Sequence, residues 1–309
     1  MGNVRRIGLA IRAGLSAWVI AAVLIAAPAR AGDDRTVVLD YAIYIGGFET
    51  IRISFKTQLR ATDYKMNMAL DGQGVPNWWF SWTMSAFSEG RLADGAVMPV
   101  RAGADSHWNG KRRRTRLSYV GGGAPSAIIK PPAEDDDRDV VPLSLRRGAR
   151  DLGVAVLAGL SRLDGNLDTN GRCDVGEAVF DGRWRYNLVL NHLGQDFLER
   201  NDYSPFSGSA LRCGVKIERI ARFRRNPSRR KWTKSDGATL WTGQAFANFP
   251  PVPVRMELDT VLGGLRAYLV CATLNKGANF AVSQPRIDTK QAGSAARPIL
   301  SAGGRLDDE

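Results

Sequence analysis

Two kinds of side chain in this 309-residue sequence are spaced for chemistry: oxygen donors that could ring a cation, and guanidinium groups that could grip an anion. The stretch NLDTNGRCDVGE carries side-chain oxygens at Asn166, Asp168, Asn170, Asp174 and Glu177, with Gly171 at its sixth position. That is close to the spacing by which an EF-hand wraps calcium in carboxylates and carbonyls. Three residues argue against it. Asn166 is neutral where a carboxylate is favoured, and Cys173 sits where a β-branched apolar residue belongs. Gly176 loosens Glu177, the ligand that should clamp with both oxygens. The next residues, AVFDGRWRYNLVL, alternate like a strand, whereas an EF-hand needs a second helix. The stretch is read as a polar connector with calcium the weaker alternative, and no cofactor or metal is assigned.

The anion-binding chemistry is stronger. KRRRTR, from Lys111 to Arg116, and RFRRNPSRRK, from Arg222 to Lys231, crowd cations onto short stretches. Guanidinium forks grip phosphate and carboxylate bidentately, which singles out Arg112, Arg113, Arg114, Arg224 and Arg225. The bland reading is a basic surface that only keeps the protein soluble. An aromatic run at Trp78, Trp79, Phe80 and Trp82 is either ordinary core on a wide sheet or the lining of an apolar groove for an acyl chain. Together these residues make a candidate site for a lipid, a lipopolysaccharide or another amphipathic anion. Catalytic machinery is sparse by comparison. The two histidines, His107 and His192, have no ligand-like neighbour at metal spacing, and no nucleophile elbow, P-loop or dinucleotide glycine pattern occurs. The expectation is a non-enzymatic protein; a hydrolase would need a cleft joining one histidine to acidic residues.

The elements that must position these groups read mainly as strands. Ile51, Ile53 and Phe55 alternate with Arg52, Ser54 and Lys56, and Tyr64, Met66, Met68 and Leu70 with Lys65, Asn67 and Ala69. The same rhythm runs through Trp82–Ala86, Trp184–Leu190, Cys213–Ile217 and Val254–Leu258. Strands of this pattern bury one face, which predicts a large curved antiparallel sheet, a half-barrel or open barrel, with a closed barrel as the alternative. Gly46-Gly47 and Gly263-Gly264 are read as hairpin turns. Leu152, Val156, Leu160 and Leu163 share a stripe at helical spacing, so one amphipathic helix is expected to pack on the sheet. The span from Gly121 to Asp139, with EDDDRD at its end, reads as loop.

The chain opens with Arg5, Arg6 and Arg12, an apolar run from Ala13 to Ala27, and Ala29-Arg30-Ala31. This is the pattern of a secretory signal cleaved after Ala31, leading into one domain over 32–275 and a disordered tail over 276–309. No later stretch is long and apolar enough to span a bilayer. The formal charge of +12 favours anionic lipid, lipopolysaccharide or an envelope protein as partner, and export to the periplasm makes nucleic acid a poor one. Of three cysteines, Cys173 and Cys213 lie beside polar turns and are expected to be bridged. Cys271 alternates with Leu265, Ala267 and Leu269 and reads as a core residue.

The phrases YAIYIGGFETIRISFK, SEGRL before a Pro-bearing strand, VFDGRWRYNLVL after a cysteine, and PPVPVRMELDTVLGGLRAYL occur in that order. Together, over about Val37 to Leu274, they resemble an exported bacterial family of unknown function, DUF3108. The resemblance implies a β-rich envelope protein with no assigned activity and a fold similar to the half-barrel of periplasmic lipoprotein carriers. It offers no catalytic residues to carry over. An amphipathic ligand held in the concave sheet is the leading expectation, and a structural or assembly role among envelope proteins the alternative.

Overall fold

The structure, a computed structural model, describes residues 34–72, 82–93, 96–121, 123–132, 140–163, 171–222, 237–247, 249–260 and 263–276. The stretch read as a secretory signal and the one read as a disordered tail, beyond Lys276, therefore lie outside the described residues. Seven strands run first: β1 (Arg35–Ile45), β2 (Phe48–Leu59), β3 (Asp63–Gly72), β4 (Trp82–Ala93), β5 (Ala96–Trp108), β6 (Lys111–Ser118) and β7 (Ser126–Lys130). Two helices come next, α1 (Leu143–Arg146) and α2 (Leu152–Ser161). Then come β8 (Val175–Phe180), β9 (Arg185–Leu198), β10 (Gly208–Ala221), β11 (Ala238–Gly243), β12 (Val252–Thr260) and β13 (Gly263–Lys276).

All strands join one 13-stranded antiparallel sheet in the order β7-β6-β5-β4-β3-β2-β1-β13-β12-β11-β10-β9-β8. Every neighbour but one is a sequential pair; the exception is β1 against β13, with Tyr44 opposite Arg266. The sheet is curled until its edges β7 and β8 face each other without pairing. Ala102 and Leu117 of β5 and β6 share a core with Phe180 at the end of β8, together with Val141 and Ala149 of the connector. A Cβ added to Gly182 would lie 2.4 Å from Thr115 Cγ2, so the β8–β9 turn rests on β6. The connector fills the gap: Arg150 donates its N–H to Ala178 O at 2.9 Å and accepts from Phe180 N at 2.9 Å. The architecture is an open barrel, its seam bridged by the segment that carries the helices.

Helix α2 begins at Asp151, whose side chain accepts from Val154 N and so satisfies one free amide of the first turn. The helix forms where the spacing predicts it, with the opposite face buried. Val154, Ala155, Ala158 and Gly159 are buried, whereas Leu152 and Val156 are 47% and 37% exposed. LGVAVLAGL is apolar on every side, so spacing cannot choose a face. Packing chooses it: a Cβ on Gly159 would sit in ordinary contact, 3.7 Å from Val175 Cγ1, so the face carrying Ala155, Ala158 and Gly159 is the one laid against the sheet.

Three further expectations are corrected. Strand β7 forms inside the span read as loop, and it runs Ser-Ala-Ile-Ile-Lys with Ala127 and Ile129 half-buried. Gly263 and Gly264 begin β13 and pair with Thr260 and Asp259, so both belong to a strand. Cys271 is half-exposed, since Val270 is an extra residue between the pairs Asp40–Cys271 and Tyr41–Leu269, and this bulge turns the thiol to the opposite face.

A candidate amphiphile-binding face

The β5–β6 hairpin sets the geometry. Asn109 and Gly110 both adopt positive φ, 44° and 77°, the conformation of a tight turn whose twist matches its strands. The resulting register places Trp82, Trp108 and Lys111 in one row, Met84, Ser106 and Arg113 in the next, then Ala86, Ala104 and Thr115, then Ser88, Ala102 and Leu117. These rows share the inner face. Ser88 donates to Asp151 Oδ2 at 3.0 Å below α2, and Ala102 and Leu117 pack under Phe180.

Along that face the chemistry changes in order. One end is filled: Val154 of α2 packs on Tyr64 and Val97, with Leu59, Leu92 and Leu157 around them. Tyr64 donates to Ser88 Oγ at 3.1 Å, the Ser88 proton being given to Asp151, and burial raises the pKa of its phenol. Burial likewise raises the Asp151 carboxyl above the usual carboxylate range, although it accepts from Val154 N and Ser88. Toward the other end Ile43, Ile51, Leu70 and Ala267 form a second core, bordered by the part-buried Met68, Met84, Met256 and Trp82. The Trp82 and Trp108 rings then stand 5.3 Å apart, tilted by 35°. Lys111 completes the tryptophan row on β6 and Arg113 the Met84 row, both exposed.

Alternation splits the predicted arginine cluster. Arg112 and Arg114 point to the outer face, opposite His107 and Asp105. Asp105 accepts from Arg114 Nε at 2.6 Å and from Arg116, and these guanidiniums hold its carboxyl below the usual range. Arg116 also covers the Phe87 ring at 5.6 Å. Lys111, Arg112 and Arg113 have no ion pair among the described residues. Trp78, Trp79, Arg224 and Arg225 lie outside the described residues. In sequence the first pair falls between Gly72, which ends β3, and Trp82, which begins β4; the second falls between Arg222 and Gly237, just outside β10 and β11. Lys111, Trp108, Met68 and Met84 were not singled out from sequence. The signal was the Asn109-Gly110 dipeptide, which fixes the hairpin register and therefore which side chains share a face.

The oxygen-rich stretch is only partly visible: Asn166, Asp168 and Asn170 lie outside the described residues. Asp174 accepts from Arg172 at 2.6 Å and from His192 N at 2.9 Å. Glu177, on β8 and nearly buried, is engaged by Arg162 and by Arg150 at 3.6 Å. The carboxylate that would clamp a cation is thus held by two arginines. Cys173 and Cys213 form a disulfide, both fully buried against Leu211, Leu163 and Leu240. His192 Nδ1 lies 3.8 Å from Cys173 Sγ. Two shallow hollows lie elsewhere, one of about 420 Å³ beside Asp40, Arg52, Asp71 and Cys271, the other of about 320 Å³ beside Phe206, Arg255 and Tyr268.

The model of a family described as a protein of unknown function, DUF3108, matches residues 40–270. The chain belongs to the DUF3108 family. No curated protein matches it. Among solved structures, a β-barrel-like protein of another domain of unknown function, DUF1849, from Brucella abortus is similar over 79% of this chain and 98% of its own. Its identity is 9% and its TM-score 0.44. Membership in DUF3108 brings no activity with it, so function rests on the residues of the barrel. No helix among the described residues is long and apolar enough to cross a membrane.

Proposed function

We propose that this protein is exported to the periplasm, with its leader removed after Ala31, and there binds an amphipathic anionic molecule against its inner sheet face without catalysing a reaction. One observation carries the reading. On the inner face the exposed Lys111 and Arg113 share rows with a tryptophan pair and the part-buried Met84, while α2 packs at the opposite end. Methionine suits such a lining because its unbranched, polarisable side chain adapts to chains of varied shape. The leader pattern and the basic charge of the chain support the compartment and the sign of the ligand.

The test is recovery of the protein from its native envelope, with lipid extraction and mass spectrometry. An enriched acidic lipid at near-stoichiometric amount is expected. Repeated recovery with no enriched lipid overturns the reading. An assembly role is the second reading, favoured by β7, which ends the sheet with Ile128 69% exposed. It predicts a reproducible protein partner on crosslinking in cells, and no lipid.

A further inference from the structure

We infer that Lys111 and Arg113 form the headgroup subsite of this barrel, taking the carboxylate or phosphate of a long-chain amphiphile whose tail lies over Met84 and Met68. The inference deepens the proposed function and rests on it.

Register and charge carry it. Only alternate residues of β6 share the inner face, so the basic stretch divides into Lys111 and Arg113 on one side and Arg112, Arg114 and Arg116 on the other. On the outer side Arg114 and Arg116 share one carboxylate, Asp105, which engages both guanidiniums and offsets one of the two charges. Its other nearby arginine, Arg112, faces His107 across the hairpin. On the inner side no described carboxylate pairs with either cation, and their row neighbours are Trp108 and Ser106. Trp108 and Trp82 extend the row of Lys111, and Ser106 and Met84 the row of Arg113, so the two cations border both a tryptophan pair, apolar at one edge and wet at the other, and a methionine. From Ser88 beneath α2 to Trp82 at the rim the face runs about 20 Å along β4, long enough for an extended acyl chain. A polymer or a nucleic acid would use the outer arginines equally. An amphiphile lying on the inner face would not.

The experiment is equilibrium binding of three probes to the purified chain: palmitate, palmitoyl lysophosphatidate and the uncharged monopalmitoylglycerol. Each is measured on the parent, on Lys111→Gln/Arg113→Gln and on Arg112→Gln/Arg114→Gln, with near-UV circular dichroism as the folding control. The parent should prefer the acidic probes to the neutral one by about fivefold or more, since two exposed charge contacts together contribute about 1 kcal/mol. Lys111→Gln/Arg113→Gln should bring that ratio close to one, and Arg112→Gln/Arg114→Gln should keep it. A stronger effect on palmitate or on lysophosphatidate tells a carboxylate head from a phosphate head, and both support the subsite. If the parent binds all three probes alike, or if the ratio survives the inner pair of substitutions, the subsite assignment is wrong while the binding function stands. If no probe binds, the proposed function falls and the subsite with it.

Discussion

Replacing Cys173 and Cys213 together with alanine removes a covalent tie from the edge of the sheet to its interior. Cys173 lies just before β8, the edge strand, and Cys213 lies on β10, two strands in. The bond closes a loop with a sequence separation of 40. In the chain-entropy relation such a loop restricts the unfolded ensemble by about 4 kcal/mol at 25 °C. Lost sulfur packing against Leu163, Leu211 and Leu240 adds to that figure. For a chain of this size each kcal/mol moves the melting midpoint by about 2–4 °C, so a fall of roughly 8–16 °C is expected. Calorimetry on the parent and the double variant, both under non-reducing conditions, reads it directly. A fall smaller than about 3 °C refutes the loop-entropy argument and says that the ladder from β8 to β10 holds this edge unaided. Burial makes a second statement about the same bond. Both sulfurs are fully enclosed, so reductant added to the folded protein should leave thiol titre unchanged until the midpoint is approached.

Other consequences are as direct. Asp151→Ala removes the cap on Val154 N and the acceptor for Ser88, and should cost about 1–2 kcal/mol in urea unfolding, whereas Asp151→Asn keeps the cap. The folded state raises the Asp151 pKa above 3.8, so it binds that proton more tightly than the unfolded chain does. The parent should therefore gain stability relative to Asp151→Asn as pH falls from neutral toward 3.8; an unchanged difference across that window would sink the point. At Gly90, beside the β4–β5 register shift, an added Cβ would fall 2.0 Å from Met98 O, so Gly90→Ala should destabilise by about 1–3 kcal/mol. Gly176→Ala meets nothing within 4 Å and is the matched control, expected to stay within about 0.5 kcal/mol. Asp105→Asn breaks two ion pairs on a half-exposed surface; the loss should stay under about 1 kcal/mol, and a larger one would show that the pairs organise the hairpin.

The strands were legible because each buries one face and period two is a strong signal. Met66 and Met68 face inward while Lys65 and Asn67 face water, as their alternation says. The buried side of α2 was not legible, since its sequence is apolar around the whole helix and the decision falls to packing against the sheet. Cys271 was misplaced by a single bulge, because one extra residue reverses the facing of everything after it. Strand β7 escaped as a short edge element between proline- and glycine-rich stretches. The candidate site was half readable. Its arginines and tryptophans were visible as residue types, but their division between two faces needed the register of the Asn109-Gly110 hairpin.

The pairing of β1 with β13 has a consequence in time. Every other neighbour in the sheet is made within a short interval of its partner, so both arms, β1 to β7 and β8 to β12, can zip locally as the chain emerges. Strand β13, the last in chain order among the described strands, belongs in the middle, with Thr36 opposite Asn275. Until it arrives, β1 and β12 stand as raw edges at the centre of a half-built wall. A chain threaded through a membrane N-terminus first would hold these edges open throughout its passage, and the two arms would become one surface only when the final strand crossed.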